Sequence, residues 1–89
     1  MLERELKVSN RLGLHARAAA KLVQLLSGFR SQVTLTGRGR EVNAKSIMGV
    51  LLLAAAPGAT LVIRVEGEDE EAAMQAAADL FDRRFDEDG

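Results

Sequence analysis

Hydrophobic and polar residues alternate along four short segments of the chain, which is the pattern of strands with one buried face. In residues 2–8, Leu2, Leu6 and Val8 share one parity and charged residues occupy most of the other. The glycines of TGRGRE, between the second and third segments, predict a hairpin turn. The four predicted strands are residues 2–8, residues 32–36, Arg40–Asn43 and residues 61–66.

Three other segments repeat apolar residues at intervals of three and four, which predicts helices with one buried stripe. The first helix begins near His15 and stops at Ser27-Gly28. Ser46 is placed to cap a second helix over residues 47–53. Acidic residues 68–71 complement the dipole at the start of a third helix, whose acidic end we expect to fray. The predicted stripes are Ala16, Ala19, Ala20, Val23 and Leu26 in the first helix and Ala73, Ala77, Leu80 and Phe81 in the third.

The resulting order, βαββαβα, implies two layers in which helices cover one face of a sheet. This is an open-faced sandwich of the α/β (α+β) class. A ferredoxin-like fold shares the βαββαβ order, and the pattern alone does not choose between the two strand arrangements. A chain of 89 residues suffices for one compact core, so we expect a single domain over residues 1–89.

The composition excludes several kinds of site. The chain has no cysteine and one histidine, so we expect no disulfide, no metal site and no cofactor. The absence of cysteine is compatible with a reducing compartment, and we expect a cytoplasmic protein. The apolar run of residues 47–56 is about half of the ~20 residues that a membrane span requires, so we expect no membrane insertion.

The charges are distributed unevenly along the chain. The net charge is −1, which argues against a general nucleic-acid binder. Residues 1–45 nevertheless carry nine Lys and Arg against three acids, whereas residues 46–89 carry three against ten. A basic face in the first half would suit an acidic partner or a phosphate group. The alternative is that both sets only solvate the surface.

His15 is the candidate reactive residue. With Gly13 as a turn, His15 lies at the helix start, where the backbone N–H groups of Ala16, Arg17 and Ala18 lack helical acceptors. These donors and the helix dipole favour an anion by about 0.3–2 kcal/mol and disfavour a protonated ring. The guanidinium of Arg17 offers a planar fork of donors for phosphate oxygens. The alternative is an ordinary capping or surface histidine.

The sequence around His15 lacks the parts of an independent catalyst. It contains no P-loop and no cluster of carboxylates that could hold magnesium. We therefore do not expect turnover by this chain alone. The site could receive a phosphoryl group and pass it on, with other proteins completing each transition state.

Two segments resemble the HPr family of phosphocarriers: NRLGLHAR, residues 10–17, and NAKSIMG, residues 43–49. The resemblance implies an antiparallel sheet with strand order 1-4-2-3, covered on one face by three helices. It also implies that His15 accepts phosphate from enzyme I, itself phosphorylated by phosphoenolpyruvate, and passes it to an enzyme IIA component. Arg17 would stabilise the phosphate.

The resemblance has one departure and one ambiguity. The family commonly has proline after the arginine, where this chain has Ala18, which keeps a possible N–H donor. HARAAAK and LFDRRFDED also look like the nitrogen-related branch of the family, called NPr. The sequence leaves open whether the chain serves sugar uptake, nitrogen control or both.

The second motif suggests a regulatory and a docking role. Ser46 reads as a helix cap, and the resemblance adds phosphorylation by an HPr kinase/phosphorylase. The second helix is apolar on more than one side, which is typical of a partner surface, although a fully covered core segment would show the same pattern. The predicted docking residues are Ile47, Met48, Leu51 and Ala20. The alternative function is therefore a regulatory binding module that acts through Ser46 and this surface. We expect a monomer that binds no nucleic acid.

Overall fold

The structure, a computed structural model, describes residues 1–87. Its elements follow the predicted order, and most of their bounds lie within a residue or two of the expected ones. They are β1 Leu2–Lys7, α1 Ala16–Leu26, β2 Gln32–Gly37, β3 Arg40–Asn43, α2 Ile47–Leu52, β4 Thr60–Glu66 and α3 Glu70–Asp82, followed by a 3-10 turn at Arg84–Asp86.

The four strands form one antiparallel sheet in the order β1-β4-β2-β3, which confirms the order 1-4-2-3. The register places Leu6 opposite Leu61 in the β1–β4 pair and Leu35 opposite Ile63 in the β2–β4 pair. β2 and β3 form the predicted hairpin, with Leu35 opposite Val42. Apolar side chains from neighbouring strands therefore meet on the same face of the sheet.

That face packs against the helices and forms the core. Leu35, Ile63 and Val65 have no exposed surface, and the core is aliphatic apart from two phenylalanines, as the composition requires. The opposite face is polar, and there Arg64 Nη2 lies 2.7 Å from Glu3 Oε2 across β1 and β4. The predicted two-layer sandwich, with helices on one face only, is confirmed.

The buried stripe of helix α1 shares only Ala19 and Leu26 with the predicted one. Its buried residues are Ala18, Ala19, Leu22 and Leu26. Ala16 is exposed, and Ala20 and Val23 are only partly buried. Because Ala16 and Ala18 to Ala20 are all small and apolar, the alanines alone do not fix which side of the helix faces the sheet. The larger Leu22 gains more from burial and sets the rotation.

The predicted fraying of the C-terminal end is wrong for residues 84–87. The ring of Phe85 is fully buried and packs on Phe81, with centroids 4.9 Å apart. Lys21 Nζ donates to the carbonyl oxygen of Phe85 at 2.9 Å. The chain therefore continues past α3 as an ordered turn. The rest of the predicted frayed end, residues 88 and 89, lies outside the described residues.

Candidate functional site

The loop before α1 is fixed by Gly13. Its φ is +71°, and a Cβ placed there would lie 2.5 Å from the carbonyl oxygen of Ala55. The next residue, Leu14, donates its N–H to the same oxygen at 3.0 Å. Only glycine allows this close approach in a left-handed conformation. The loop is thereby held against the segment after α2, and His15 follows at the start of α1.

His15 is the N-cap residue of α1. Its backbone is extended, with φ −82° and ψ −178°, and its carbonyl oxygen accepts the N–H of Ala19 at 2.9 Å. Ring atom Nδ1 accepts the N–H of Arg17 at 3.3 Å. Ring atom Nε2 lies 2.5 Å from Oε2 of Glu87. The histidine therefore uses both ring nitrogens in contacts within the protein.

The two ring contacts assign the tautomer of His15. An atom that accepts a hydrogen bond from an amide must carry a lone pair, so Nδ1 is unprotonated. The ionised carboxylate of Glu87 can only accept, so the ring proton is on Nε2. The unprotonated nitrogen, Nδ1, faces the N-terminal end of α1.

The N-terminal end of α1 offers donors beside Nδ1. Among the hydrogen bonds of residues 1–87, none is donated by the backbone N–H of Ala16 or Ala18. Arg17 is exposed, and its guanidinium forms no ion pair with another described residue. The start of α1 is also the positive end of the helix dipole. An anion bonded to Nδ1 would meet donors here without displacing other partners of Ala16 and Ala18.

The site opens into a shallow cavity of about 830 Å³, with His15 and Arg17 in its wall. Arg11 and Lys21 bring two more positive charges to this wall, while Asp86 and Glu87 bring two negative ones. The ring of His15 is therefore accessible from solvent.

Glu87 is a site residue that the sequence analysis missed. Its Oε1 accepts the side-chain N–H of Asn10 at 3.0 Å, while Oε2 contacts His15. The hydrogen bond from Asn10, followed by the hydrogen bond with His15, holds the pKa of Glu87 below its ordinary value. The only signal in the sequence is Phe85, an apolar residue within an otherwise charged tail.

Ser46 occupies the N-cap position of α2, as predicted. Its Oγ accepts the N–H of Gly49 at 3.1 Å, and the residue is partly buried. No hydrogen bond or ion pair joins Ser46 to His15 within the described part of the chain. The structure therefore shows the capping role, while phosphorylation of Ser46 stays a prediction.

The predicted docking residues differ in exposure. Ile47 is 42% exposed and Met48 68% exposed, whereas Leu51 and Ala20 are partly buried. Three other large apolar residues are exposed and were not predicted to dock: Met1, Leu52 on α2, and Leu12, which lines the cavity beside His15. Leu12 escaped prediction because it sits in a turn, outside any periodic pattern.

Other kinds of site find no support in residues 1–87. These residues contain no group of three or more His, Cys, Asp or Glu placed to hold a metal ion. None of their helices is long and apolar enough to cross a membrane.

Comparison with known proteins places the chain in a family. A family model described as "PTS HPr component phosphorylation site" matches residues 2–83. The phosphocarrier protein HPr of Xylella fastidiosa is 64% identical over 88 residues, 99% of each chain. The phosphocarrier protein NPr of Shewanella violacea is 41% identical over 97% of this chain and 94% of that protein. A crystal structure of HPr from Thermoanaerobacter tengcongensis matches with a TM-score of 0.96 at 42% identity, covering 100% of both chains. The chain therefore belongs to the HPr family, the phosphocarriers of the phosphotransferase system (PTS).

Proposed function

We propose that this chain carries a phosphoryl group on Nδ1 of His15, receiving it from phosphorylated enzyme I and passing it to an enzyme IIA component. The observation that carries the proposal is the orientation of the ring. Nδ1 holds a lone pair and faces the N-terminal end of α1, where the N–H groups of Ala16 and Ala18 have no acceptor among the described residues.

The transfer needs no proton to leave the attacking atom. Nδ1 attacks the phosphorus of the donor as the bond from that phosphorus to its donor atom in enzyme I breaks, and the electron pair of that bond stays with the donor atom. The N–H of Arg17, which now contacts Nδ1 at 3.3 Å, is then free to donate to a phosphoryl oxygen. The guanidinium of Arg17 and the N–H groups of Ala16 and Ala18 supply further donors. In the second transfer, the acceptor atom of the enzyme IIA component attacks the phosphorus and the bond from Nδ1 to phosphorus breaks.

Docking of both partners would use the exposed apolar residues near the site. Met48 is the most exposed of the predicted docking residues, and its flexible side chain suits a surface that must fit two partners. Leu12 and Leu52 extend the set of exposed apolar residues, whereas Leu51 packs partly against the core. We infer that Leu51 contributes mainly by supporting α2.

The branch served is inferred from the relatives. The 64% identity to an HPr exceeds the 41% identity to an NPr, which favours the HPr type and sugar uptake over nitrogen control. The proposal locates the exchange in the cytoplasm, as expected for a cysteine-free chain.

A second role, regulation through Ser46, would act at the start of α2, where the Oγ of Ser46 accepts the N–H of Gly49. A phosphoserine there would add negative charge beside exposed Met48 while the helix N-terminus tolerates it. Phosphorylation would then weaken docking of enzyme I with little unfolding. A purely regulatory module, by contrast, would keep its partner control in His15→Ala and lose it in Ser46→Asp or Met48→Asp.

The phosphocarrier role is tested by incubating the protein with enzyme I and labelled phosphoenolpyruvate. We expect label that is stable in alkali and labile in acid, and its complete loss in His15→Ala. Arg17→Lys keeps the charge but loses the donor fork, so it should be labelled more slowly. Gln75→Asn, on the exposed side of α3, is the matched control and should behave like the wild type. Absence of label on the wild type would refute the proposal.

A further inference from the structure

We propose that Glu87 is a positioning residue for phosphoryl transfer: it holds the ring proton of His15 on Nε2 and thereby keeps the lone pair on Nδ1. This inference rests on the function proposed above. It assigns a role to the C-terminal tail, which the motifs around His15 and Ser46 do not include.

Two contacts on opposite sides of the ring require the same tautomer. The ionised carboxylate of Glu87 can only accept a hydrogen bond, so Nε2, at 2.5 Å, must carry the proton and donate it to that bond. The N–H of Arg17 requires a lone pair on Nδ1. The contact with Arg17 is long, 3.3 Å, and exposed, so the short contact with Glu87 is the stronger constraint.

The carboxylate is itself held in place. Asn10 is fully buried, and its side-chain NH₂ donates to Glu87 Oε1 at 3.0 Å and to the carbonyl oxygen of Gly13 at 2.7 Å. One side chain therefore joins the tail to the loop that carries His15. The side chain of Glu87 is only 13% exposed, so water competes little for its oxygens.

The backbone before Glu87 adopts an unusual conformation that brings it to the ring. Arg84, Phe85 and Asp86 all have left-handed φ values, of 55°, 55° and 61°. Such backbone is costly for residues other than glycine and persists only where surrounding contacts enforce it. Here the buried ring of Phe85 and the bond from Lys21 to its carbonyl oxygen enforce it. The turn reverses the chain after α3 and directs residue 87 towards α1.

The contact also suits the chemistry of the transfer. As the bond from Nδ1 to phosphorus forms and the donor's bond to phosphorus breaks, positive charge develops on the ring. The proton stays on Nε2, and the carboxylate beside it stabilises that charge. A carboxylate that orients a histidine through its second nitrogen acts in the same way in other enzymes. No additional reactant is needed.

The variant Glu87→Gln tests the inference. The amide is nearly the same size, but it can donate as well as accept, so it no longer excludes the tautomer with the proton on Nδ1. We expect the kcat for phosphorylation by enzyme I to fall about tenfold, the equivalent of losing one charge-assisted hydrogen bond, with an unchanged KM. Glu71→Gln, the same change on an exposed site of α3, is the control and should keep wild-type rates.

A second measurement does not depend on phosphorylation. The ¹⁵N chemical shifts of the neutral His15 ring report where the proton resides. The wild type should show the proton on Nε2, and Glu87→Gln should show a mixture of both tautomers. A chain ending at Asp86 should show the same mixture of tautomers. Its thermal midpoint should match that of the wild type, which verifies that the truncated chain is folded with Phe85 in the core.

Each outcome decides the matter. Unchanged kcat and unchanged ring shifts in Glu87→Gln, with His15→Ala unlabelled, would overturn the role of Glu87 and leave the phosphocarrier function intact. Faster phosphorylation of Glu87→Gln would also overturn the positioning role, because the carboxylate would then slow the reaction by repelling the incoming phosphoryl group. An unlabelled wild type would overturn both proposals.

Discussion

Gly13 shows how one residue without reactive atoms determines where His15 lies. Its left-handed backbone and its approach to the carbonyl oxygen of Ala55 bring the loop onto the segment after α2. Asn10 holds the same loop from within, through its bond to the carbonyl oxygen of Gly13. The reactive ring is thus positioned by contacts made before the helix begins.

Gly13→Ala should be more destabilising than Gly39→Ala. Both glycines have left-handed φ values, of +71° and +77°, so each alanine incurs backbone strain of about 1–2 kcal/mol. At Gly39 nothing lies within 4 Å of the new Cβ, whereas at Gly13 it would meet the oxygen of Ala55. At Gly13 alone we expect the free energy of unfolding to fall further, by about 1–3 kcal/mol, as it does at other overpacked sites. Urea unfolding measures both, and equal losses would contradict the steric argument.

Among the elements, the strands were predictable in full and α1 only in part. A strand has a period of two, so Leu61, Ile63 and Val65 leave one choice of buried face. The alanines at 16 and 18–20 of α1 fit several rotations of the helix, and the predicted stripe agrees with the buried one only at Ala19 and Leu26. His15 could be found because it sits in a recognisable motif. Glu87 could not, since its role depends on a left-handed turn that no pattern in LFDRRFDED announces.

The connection between α1 and β2 is tied to the start of α3 by Asp69. Its carboxylate accepts the N–H groups of Arg30 at 2.8 Å and Ser31 at 2.9 Å, and the hydroxyl of Ser31 at 2.5 Å. Asp69 occupies the N-cap position of α3, yet it makes no side-chain bond to that helix. These bonds, led by that from the Ser31 hydroxyl, lower the pKa of Asp69 from 3.8 to about 2.

This lowered pKa predicts how acid affects stability. Because the pKa of Asp69 is lower in the folded state, its contribution is fully present above pH 3.8 and is lost as the pH falls through about 2. Asp69→Asn should therefore lower the thermal midpoint most near neutral pH, and the difference from the wild type should vanish at the lowest pH. Thermal unfolding monitored by circular dichroism over this range checks the expectation. A difference independent of pH would contradict it.

At the scale of the whole molecule, the fold places its reactive and apolar exposed residues on the helical layer and leaves the other sheet face polar. Basic residues dominate the first half of the sequence and acidic residues the second, but the fold brings residues of both halves together at the site. Asp86 and Glu87, from the acidic half, line the same cavity as Arg11, Arg17 and Lys21. The surface that an acidic partner would meet is therefore a mixture of both signs, arranged around His15.

Met48→Asp should impair docking without affecting the fold. Its side chain is 68% exposed, so the substitution removes little buried surface, but it adds a charge to the proposed docking surface. We expect the KM for enzyme I to rise roughly tenfold, as for an interface residue that contributes more than about 1 kcal/mol, with little change in the thermal midpoint. Gln32→Asp, exposed on β2, is the control and should leave KM unchanged. Equal effects of the two substitutions would show that charge alone is responsible.

The polar face of the sheet also offers a position for attaching a label or a surface. Glu5 is an exposed residue of β1 and pairs with Val62 of β4. Its side chain lies on the face of the sheet that points away from the helices. The chain has no cysteine of its own, so Glu5→Cys would provide a single thiol for attaching a fluorophore or a sensor surface. A carrier immobilised there would present its helical layer to solution, and binding of successive partners could be recorded on one molecule. Glu87 is a less suitable anchor, because a tether there would disturb its contact with His15.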